Sequence, residues 1–219
     1  MENKICIVTY THTNCKDLWA PYKSRLKKHA GMYPAFMLTN ESTGDESDFV
    51  YDENDPFSVQ WIKCLRKLKT MGFDYFIYSQ EDFILYGDIN VGSIDMAINE
   101  IKYGKTDFVK LIKSGGVEYC MQSAVHDIDK FLAFYEKYQI DSIRQEGFLS
   151  QCCVGEYESK FSPMAWVGEK RGLFHYDSKV WPYIATALNK GKWNTSEYKK
   201  ELTYFQQEYM VDFTDRGTL

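Results

Sequence analysis

Short apolar runs alternate with helical patterns along the first half of the chain, and this alternation limits the folds open to it. Runs typical of buried strands occupy residues 4–10, 33–39, 49–51, 74–82 and 108–112. Apolar residues at helical spacing occupy residues 15–29, 57–72 and 92–103. Strands that alternate with helices pair in parallel through right-handed crossovers. We therefore expect an α/β fold, with a mainly parallel central sheet flanked by helices.

The pattern changes after residue 113. Residues 119–126 are compatible with a strand, residues 131–138 carry a helical stripe, and residues 142–183 have mixed polarity and predict irregular structure. A last helix is expected near residues 198–209, with residues 194–197 as its cap. We expect a single domain over 1–219, in which residues 1–112 form the ligand-binding half and residues 113–219 complete the site.

Composition excludes several classes of protein. The 26 Lys and Arg against 31 Asp and Glu give a net charge of −5, which argues against non-specific binding of nucleic acid or an anionic membrane. No apolar run approaches the ~20 residues of a membrane span. The six cysteines include no Cys-x-x-Cys pair, and Cys152 and Cys153 are adjacent, so neither a disulfide framework nor zinc is expected. We expect a cytoplasmic protein.

The most informative position is the end of the strand at 75–78, where apolar residues give way to Gln80, Glu81 and Asp82. Open parallel sheets bind ligands at the carboxyl ends of their strands. Continued alternation places Gln80 and Asp82 on one face and Glu81 on the other. Oxygen ligands at this spacing suit Mg²⁺ or Mn²⁺ bound to a diphosphate. The alternative is a solvated acidic turn.

With this motif, the chain resembles the GT-A-fold glycosyltransferases, in particular small stand-alone enzymes of bacteriophages and bacteria. In that family an Asp-x-Asp motif ends a strand of a nucleotide-sugar domain and holds the metal and the diphosphate. Gln80-Glu81-Asp82 is similar to a degenerate version of it. The resemblance implies that Asp82 binds Mn²⁺ or Mg²⁺ at the reacting diphosphate, and that Glu81 contacts the metal or the ribose.

A second matching stretch lies at residues 174–178 (FHYDS) and is followed by Lys190 and Lys192 in the sequence KGKW. The resemblance implies that His175 completes the metal site, with Asp177 orienting its imidazole. Lys190 and Lys192 would supply positive charge to the phosphates. The alternative for His175 is a loop histidine with purely local partners.

The loop after the first strand is where the family usually receives the base and ribose of the donor. Thr9, Tyr10 and Thr11 are the candidates there, with hydroxyls for hydrogen bonds and a ring for stacking on uracil. Asp52 follows the third strand, from which a carboxylate commonly reaches the base or ribose. An ordinary polar loop is the alternative for each, and helix capping is the alternative for Asp52, although Asp55 is the better-placed cap.

An inverting transferase needs a carboxylate that deprotonates the acceptor hydroxyl. The candidates beyond the metal motif are Glu118, Asp127, Glu146 and Glu156. We prefer Glu146, because it lies in an irregular segment beside Gly147 that can bring it to the cleft.

These features together predict transfer of a sugar from a nucleotide diphosphate sugar, UDP-linked by preference, to an acceptor hydroxyl. The acceptor is a saccharide or, in view of the phage enzymes, a hydroxymethylated base in DNA, and the cytoplasm is then that of the host. Lys63, Arg66, Lys67 and Lys69 cluster on one helix, where a solvated helix face is the preferred interpretation.

Two other classes remain open. Gln80 in place of an acid keeps open a non-catalytic module that binds a nucleotide sugar or a carbohydrate. A nucleotidyltransferase ranks last, because residues 9–14 contain no glycine for a phosphate loop. No Gly-x-Gly-x-x-Gly or Walker-type motif supports a dehydrogenase or a P-loop enzyme.

Overall fold

A six-stranded sheet organises the protein, whose computed structural model describes residues 4–113, 115–152, 154–171 and 175–218. Its strands are β1 (Ile5–Tyr10), β2 (Ala35–Thr39), β3 (Phe49–Val50), β4 (Tyr75–Gln80), β5 (Phe108–Lys110) and β6 (Ala124–Asp127). They lie in the order β3-β2-β1-β4-β6-β5. The pairs among β1 to β4 are parallel, whereas β6 runs antiparallel to both of its neighbours. The predicted α/β class with a mainly parallel sheet is confirmed.

Among the described residues, six α-helices accompany the sheet. They are α1 (Lys16–Ala30), α2 (Phe57–Thr70), α3 (Val91–Lys102), α4 (Ile128–Lys137), α5 (Glu146–Cys152) and α6 (Lys199–Tyr209). Within the described ranges, none of them is long and apolar enough to cross a membrane. Cys153 and Phe174, which entered the sequence predictions, fall outside the described residues.

The segment expected to be irregular is more ordered than its composition indicates. Besides α5 it contains the strand pair β7 (Val167–Arg171) and β8 (His175–Ser178), and a further pair follows, β9 (Leu188–Asn189) and β10 (Lys192–Trp193). These strands are short and partly polar, so neither an apolar run nor a strict alternation marks them in the sequence.

The predicted apolar stripe of α2 packs in the core. Phe57, Trp61, Leu65 and Leu68 are each at most 2% exposed, and Trp61 packs against Phe76 of β4 with ring centroids 5.7 Å apart. Full burial of such a side chain contributes about 1.5–3 kcal/mol. This packing fixes α2 against the centre of the sheet.

Two predicted helix caps are wrong. Pro56 stands at the N-cap of α2, which has no side-chain cap, and Asp55 instead accepts a hydrogen bond from Lys63 Nζ at 2.6 Å. Helix α6 begins at Lys199 after Tyr198, again without a side-chain cap. Glu197 is therefore free of a capping role and contacts residues near the candidate site.

A second apolar cluster brings the C-terminus to the carboxyl ends of the strands. It joins Leu18 of α1 and Ile84, after β4, to residues of β10, α6 and the C-terminal segment. Its largest members from those later elements are Trp193, Tyr198, Phe205 and Phe213. Segments more than a hundred residues apart in the sequence therefore pack against one another beside the ends of β1 and β4.

Candidate active site at the carboxyl ends of β1 and β4

Strands β1 and β4 end side by side at the centre of the sheet. Tyr10 and Gln80 are directly paired in the parallel register. The residues that follow, Thr11 on one strand and Glu81 and Asp82 on the other, therefore leave the sheet at the same edge. This is the edge at which open α/β sheets bind ligands.

Gln80 faces the side of the sheet covered by α2 and α4. Its Nε2 donates to the Tyr78 hydroxyl at 2.6 Å. The pKa of Tyr78 is raised well above its usual value, chiefly by burial, and the Tyr135 phenol and the charge of Glu146 add to the shift. Gln80, Tyr78 and Glu146 therefore share one side of the edge.

Glu81 faces the opposite side, toward α1. The Cys15 thiol and the Thr11 hydroxyl lie close enough to Glu81 to lower its pKa, as does the positive charge of Arg216. Burial nevertheless dominates and raises the pKa of Glu81 above its ordinary value. A carboxylate held in such a desolvated position favours a cation beside it.

Asp82 lies two residues beyond Gln80, the last residue of β4, so the alternation predicted for Gln80 and Asp82 does not extend to it. Its Oδ2 accepts a hydrogen bond from the Leu188 amide at 3.4 Å, while its Oδ1 is buried without a hydrogen-bond partner. Burial, followed by repulsion from Glu81, raises the pKa of Asp82 above its ordinary value. Asp82 is therefore a buried carboxyl group with one unpartnered oxygen, next to a second carboxylate.

The pair fits a divalent cation that also binds phosphate. Mg²⁺ typically takes one or two protein carboxylates and completes its shell with water and substrate phosphates. Glu81 and Asp82 supply that number, and the unpartnered Asp82 Oδ1 is an oxygen available to a metal. Over the described ranges, no cluster of three or more His, Cys, Asp or Glu side chains forms a complete metal cage.

His175 occupies a neighbouring polar cluster. Its Nε2 lies 3.4 Å from Glu197 Oε2, and its ring stacks on Tyr198 with centroids 6.1 Å apart. Burial lowers the pKa of His175. Glu197 Oε2 also accepts a hydrogen bond from Thr186 Oγ1 at 3.0 Å, two residues before Leu188. His175 thus reaches the Asp82 region through the segment 186–188, and its contact with a metal stays a prediction.

Asp177 does not orient His175 as predicted. Its Oδ2 accepts from Arg171 Nε at 2.9 Å, and Arg171 also binds Glu201 at 3.0 Å. The stronger cationic partner takes the carboxylate, because a guanidinium offers a rigid, permanently charged fork.

Lys190 and Lys192 lie on the β9–β10 hairpin, which begins at Leu188. Lys190 and Gly191 both have positive φ, 52° and 78°, as a tight two-residue hairpin turn requires. Both lysines are exposed. The hairpin is anchored beside Asp82 and carries these two cations at its tip.

The loop after β1 divides into buried and accessible groups. Thr9 is fully buried and its hydroxyl lies 2.8 Å from Tyr22 OH. The prediction that this side chain contacts the donor is therefore corrected to a supporting role in the core. Tyr10 is half-buried, stacks on Tyr51 with centroids 5.4 Å apart, and donates to Gln60 Oε1 at 3.0 Å. Thr11 is buried and contacts Glu81.

Asp52 is exposed at the rim of a cavity of about 260 Å³ between β3 and α2. The cavity is lined by Phe49, Tyr51, Gln60, Lys63 and Lys67 among others. Asp52 Oδ1 accepts from the Asn54 amide at 2.9 Å. The lining therefore combines aromatic and apolar side chains with as many polar and charged ones.

Glu146 opens α5, and its Oε1 accepts a hydrogen bond from the Met121 amide at 2.6 Å. Two rival bases have structural tasks. Asp127 caps α4 by accepting from the Lys130 amide at 3.0 Å, and Glu156 binds Lys137 and the Tyr138 hydroxyl. Glu118 accepts from the Gly116 amide at 3.1 Å. Of these four carboxylates, Glu146 is the one whose charge raises the pKa of the Tyr78 phenol beside Gln80.

Sequence reasoning missed two groups at this site. Arg216 comes from the C-terminal segment, and Cys15 precedes α1; both contact or act on Glu81. Neither lies in a recognisable motif. Only the tertiary packing of the C-terminal segment brings Arg216 to the first loop.

The order and direction of the strands define a Rossmann-like α/β fold. A cytidylyltransferase from Leptospira borgpetersenii serovar Hardjo-bovis (strain JB197) has a similar structure, with a TM-score of 0.53 and 13% sequence identity. The match covers 94% of this chain and 95% of that chain. No protein-family model and no curated protein matches this sequence.

Proposed function

We propose that this chain is a metal-dependent glycosyltransferase that uses a nucleotide diphosphate sugar, preferably UDP-linked, as donor. The observation that carries the proposal is the pair Glu81 and Asp82 at the carboxyl end of β4, with Asp82 Oδ1 buried and unpartnered. Such an orphaned oxygen next to a second carboxylate calls for an explanation, and a cation held for a diphosphate supplies one.

The residues around this pair divide the work. Glu81 and Asp82 hold Mn²⁺ or Mg²⁺, which when bound places positive charge on the departing diphosphate. Lys190 and Lys192 contact the phosphates from the hairpin tip. Tyr10 and Asp52 bind the base and ribose. Gln80, which donates to Tyr78, positions the donor on the Glu146 side.

Sugar transfer requires that a proton leaves the acceptor hydroxyl and that the nucleoside diphosphate leaves the sugar. Glu146 takes the proton from the acceptor hydroxyl, whose oxygen bonds to the anomeric carbon of the donor. The bond from that carbon to the diphosphate oxygen breaks, and the nucleoside diphosphate leaves with the electron pair. The Met121 amide holds one oxygen of Glu146, so that the other is free to accept the proton.

A saccharide is the preferred acceptor. The basic cluster of α2, the surface that could attract DNA, is largely neutralised. Lys63 pairs with Asp55, Arg66 with Glu136, and Lys69 with Asp129, at 2.6, 2.8 and 2.6 Å. Lys67 lies over the Phe49 ring at 4.7 Å. Paired charges on a helix face offer little attraction to a phosphate backbone.

Nucleotidyl transfer is the second candidate, because the similar structure is described as a cytidylyltransferase. The two reactions differ in their products. Sugar transfer releases a nucleoside diphosphate, whereas nucleotidyl transfer consumes a nucleoside triphosphate and releases pyrophosphate. A non-catalytic module, the third candidate, would bind without either product.

The first experiment measures melting temperature against nucleotides and nucleotide sugars, with and without Mn²⁺. A ligand that binds only the native state raises the melting temperature by mass action. The proposal expects a Mn²⁺-dependent shift with UDP that Asp82→Ala abolishes, followed by UDP release from the sugar donor. Pyrophosphate release from CTP would establish the second candidate instead, and binding without turnover would establish the third.

A further inference from the structure

The C-terminal segment, residues 211–218, returns from α6 to the loop after β1. Phe213 stacks on Trp193 with ring centroids 4.3 Å apart, and the Trp193 amide donates to the Gly217 carbonyl at 3.0 Å. Trp193 ends the hairpin that begins at Leu188, the residue that contacts Asp82. The segment and the hairpin therefore form one packed unit at the candidate site.

Arg216 is the cation that this unit places beside the carboxylate pair. Its Nε donates to Asp17 Oδ2 at 2.9 Å, and its Nη2 donates to Asp17 Oδ1 and to the Asn14 carbonyl, the latter at 3.0 Å. Its side chain is only 16% exposed. The guanidinium also contacts the Cys15 thiol, and its charge acts on Glu81.

A diphosphate at this edge meets two carboxylates that repel it. A bound divalent cation offsets part of that repulsion, and a fixed positive charge offsets more. Arginine is well suited to this task, because its planar fork binds two phosphate oxygens at once. The partial burial of Arg216 keeps the fork in place before the donor arrives.

Asp17, the present partner of Arg216, is a replaceable one. Its side chain is 52% exposed, so this carboxylate is largely hydrated and the ion pair contributes little. Release of Asp17 to water frees both arms of the guanidinium.

We propose that Arg216 binds the diphosphate of the donor, and that on donor binding the guanidinium exchanges Asp17 for phosphate oxygens. This inference rests on the proposed function and names a residue that it did not include. Arg216 then acts directly on the leaving group, alongside the metal and the hairpin lysines.

The test is calorimetric titration of the full chain with UDP and with uridine, in the presence of Mn²⁺. The variants are Arg216→Gln, Asp17→Asn and, as a matched control, Arg66→Gln, which breaks an Arg–Glu pair between α2 and α4. Arg216→Gln is expected to lower the affinity for UDP about tenfold or more, because a charge-assisted contact with the diphosphate is lost. The affinity for uridine, which has no phosphate, should stay unchanged. Arg66→Gln leaves both ligands unchanged.

Asp17→Asn separates a ligand contact from a purely structural ion pair. Both variants remove the Arg216–Asp17 ion pair. If that ion pair served only the structure, the affinity for UDP would fall equally in the two variants. A ligand contact predicts that Asp17→Asn keeps the UDP affinity of the wild type or raises it a few-fold.

The outcomes separate the proposed donor from the proposed role of Arg216. No UDP binding by the wild-type chain overturns the proposed donor and this inference together. UDP binding that Arg216→Gln leaves unchanged, or that Asp17→Asn weakens as much as Arg216→Gln does, overturns the role of Arg216 alone. Arg216→Lys provides a folded variant with the charge retained and the fork removed, and intermediate UDP affinity is expected.

Discussion

The amide of Leu188 lies 3.4 Å from Asp82 Oδ2, although the two residues are 106 positions apart. This contact joins the end of β4 in the central sheet to the hairpin that carries Lys190 and Lys192. It also links Asp82 to Thr186, Glu197 and, through Glu197, to His175. The candidate site is thus assembled from both halves of the chain.

Asp82→Asn tests the carboxylate pair through two readouts with opposite signs. We expect loss of sugar transfer, because the amide cannot replace a charged metal ligand. In EDTA at pH 7, we expect the variant to be about 1–3 kcal/mol more stable than the wild type, because the amide removes a buried charge that desolvation and repulsion from Glu81 disfavour. Urea unfolding with and without Mn²⁺ measures the difference, and Mn²⁺ is expected to stabilise only the wild type.

Asp95→Asn, an exposed aspartate on α3, is the matched control and is expected to change neither readout. If Mn²⁺ stabilises the Asp82→Asn variant as much as the wild type, the metal binds at another site.

Glu146→Gln tests the proposed base. The Gln side chain can still accept from the Met121 amide, so the local fold is retained, but it cannot take a proton. We expect the turnover number for transfer to fall at least ~10²-fold while donor affinity is unchanged. Glu118→Gln, whose carboxylate accepts from the Gly116 amide, is the control and should transfer normally. Equal losses in the two variants would remove Glu146 from the mechanism.

Much of the fold could be predicted from local pattern. Strands β1 and β4 are apolar on both faces, and α2 carries an apolar stripe at helical spacing, so each signals its own structure. The antiparallel direction of β6 could not be predicted in this way. It depends on the connection from β5, a tertiary property, whereas apolar spacing reports only which residues are buried.

The candidate site was predictable to the extent that it sits at a strand end. Gln80, Glu81 and Asp82 were found because carboxylates after a buried strand stand out by position. Arg216 was missed, because its role depends on Phe213 packing against Trp193. The Asp177 prediction failed because Arg171, on the neighbouring strand, competes for the same carboxylate.

His126 makes the fold sensitive to acid. Its ring lies between Phe76 and Phe108, with centroids 5.1 Å from each, and its Nδ1 is 2.7 Å from Tyr157 OH. Burial lowers its pKa from 6.5 to about 3. Between those values the unfolded chain binds more protons than the folded one, so this contribution to stability is complete above pH 6.5 and is lost as pH falls toward 3.

His126→Phe removes the imidazole that takes up a proton on unfolding and keeps an aromatic ring in the cluster. Plotted against pH from 3 to 6.5, the free energy of unfolding should rise less steeply for this variant than for the wild type. The slope from one such group is at most about 1.4 kcal/mol per pH unit. Tyr157→Phe removes the same hydrogen bond but leaves the imidazole, so it should keep the steep slope. Parallel curves for wild type and His126→Phe would show that another group controls acid unfolding.

Lys190→Gly is expected to stabilise the β9–β10 hairpin and to weaken binding of the donor. Lys190 has a φ of 52°, a region that costs an L-residue roughly 1 kcal/mol and costs glycine little. The free energy of unfolding should therefore rise by up to about 1 kcal/mol, while the KM for the donor rises because one cation near the phosphates is gone. Lys190→Arg keeps the charge and the strained turn, so both values should stay near those of the wild type. If Lys190→Gly gains stability with an unchanged KM, the lysine serves the turn and not the donor.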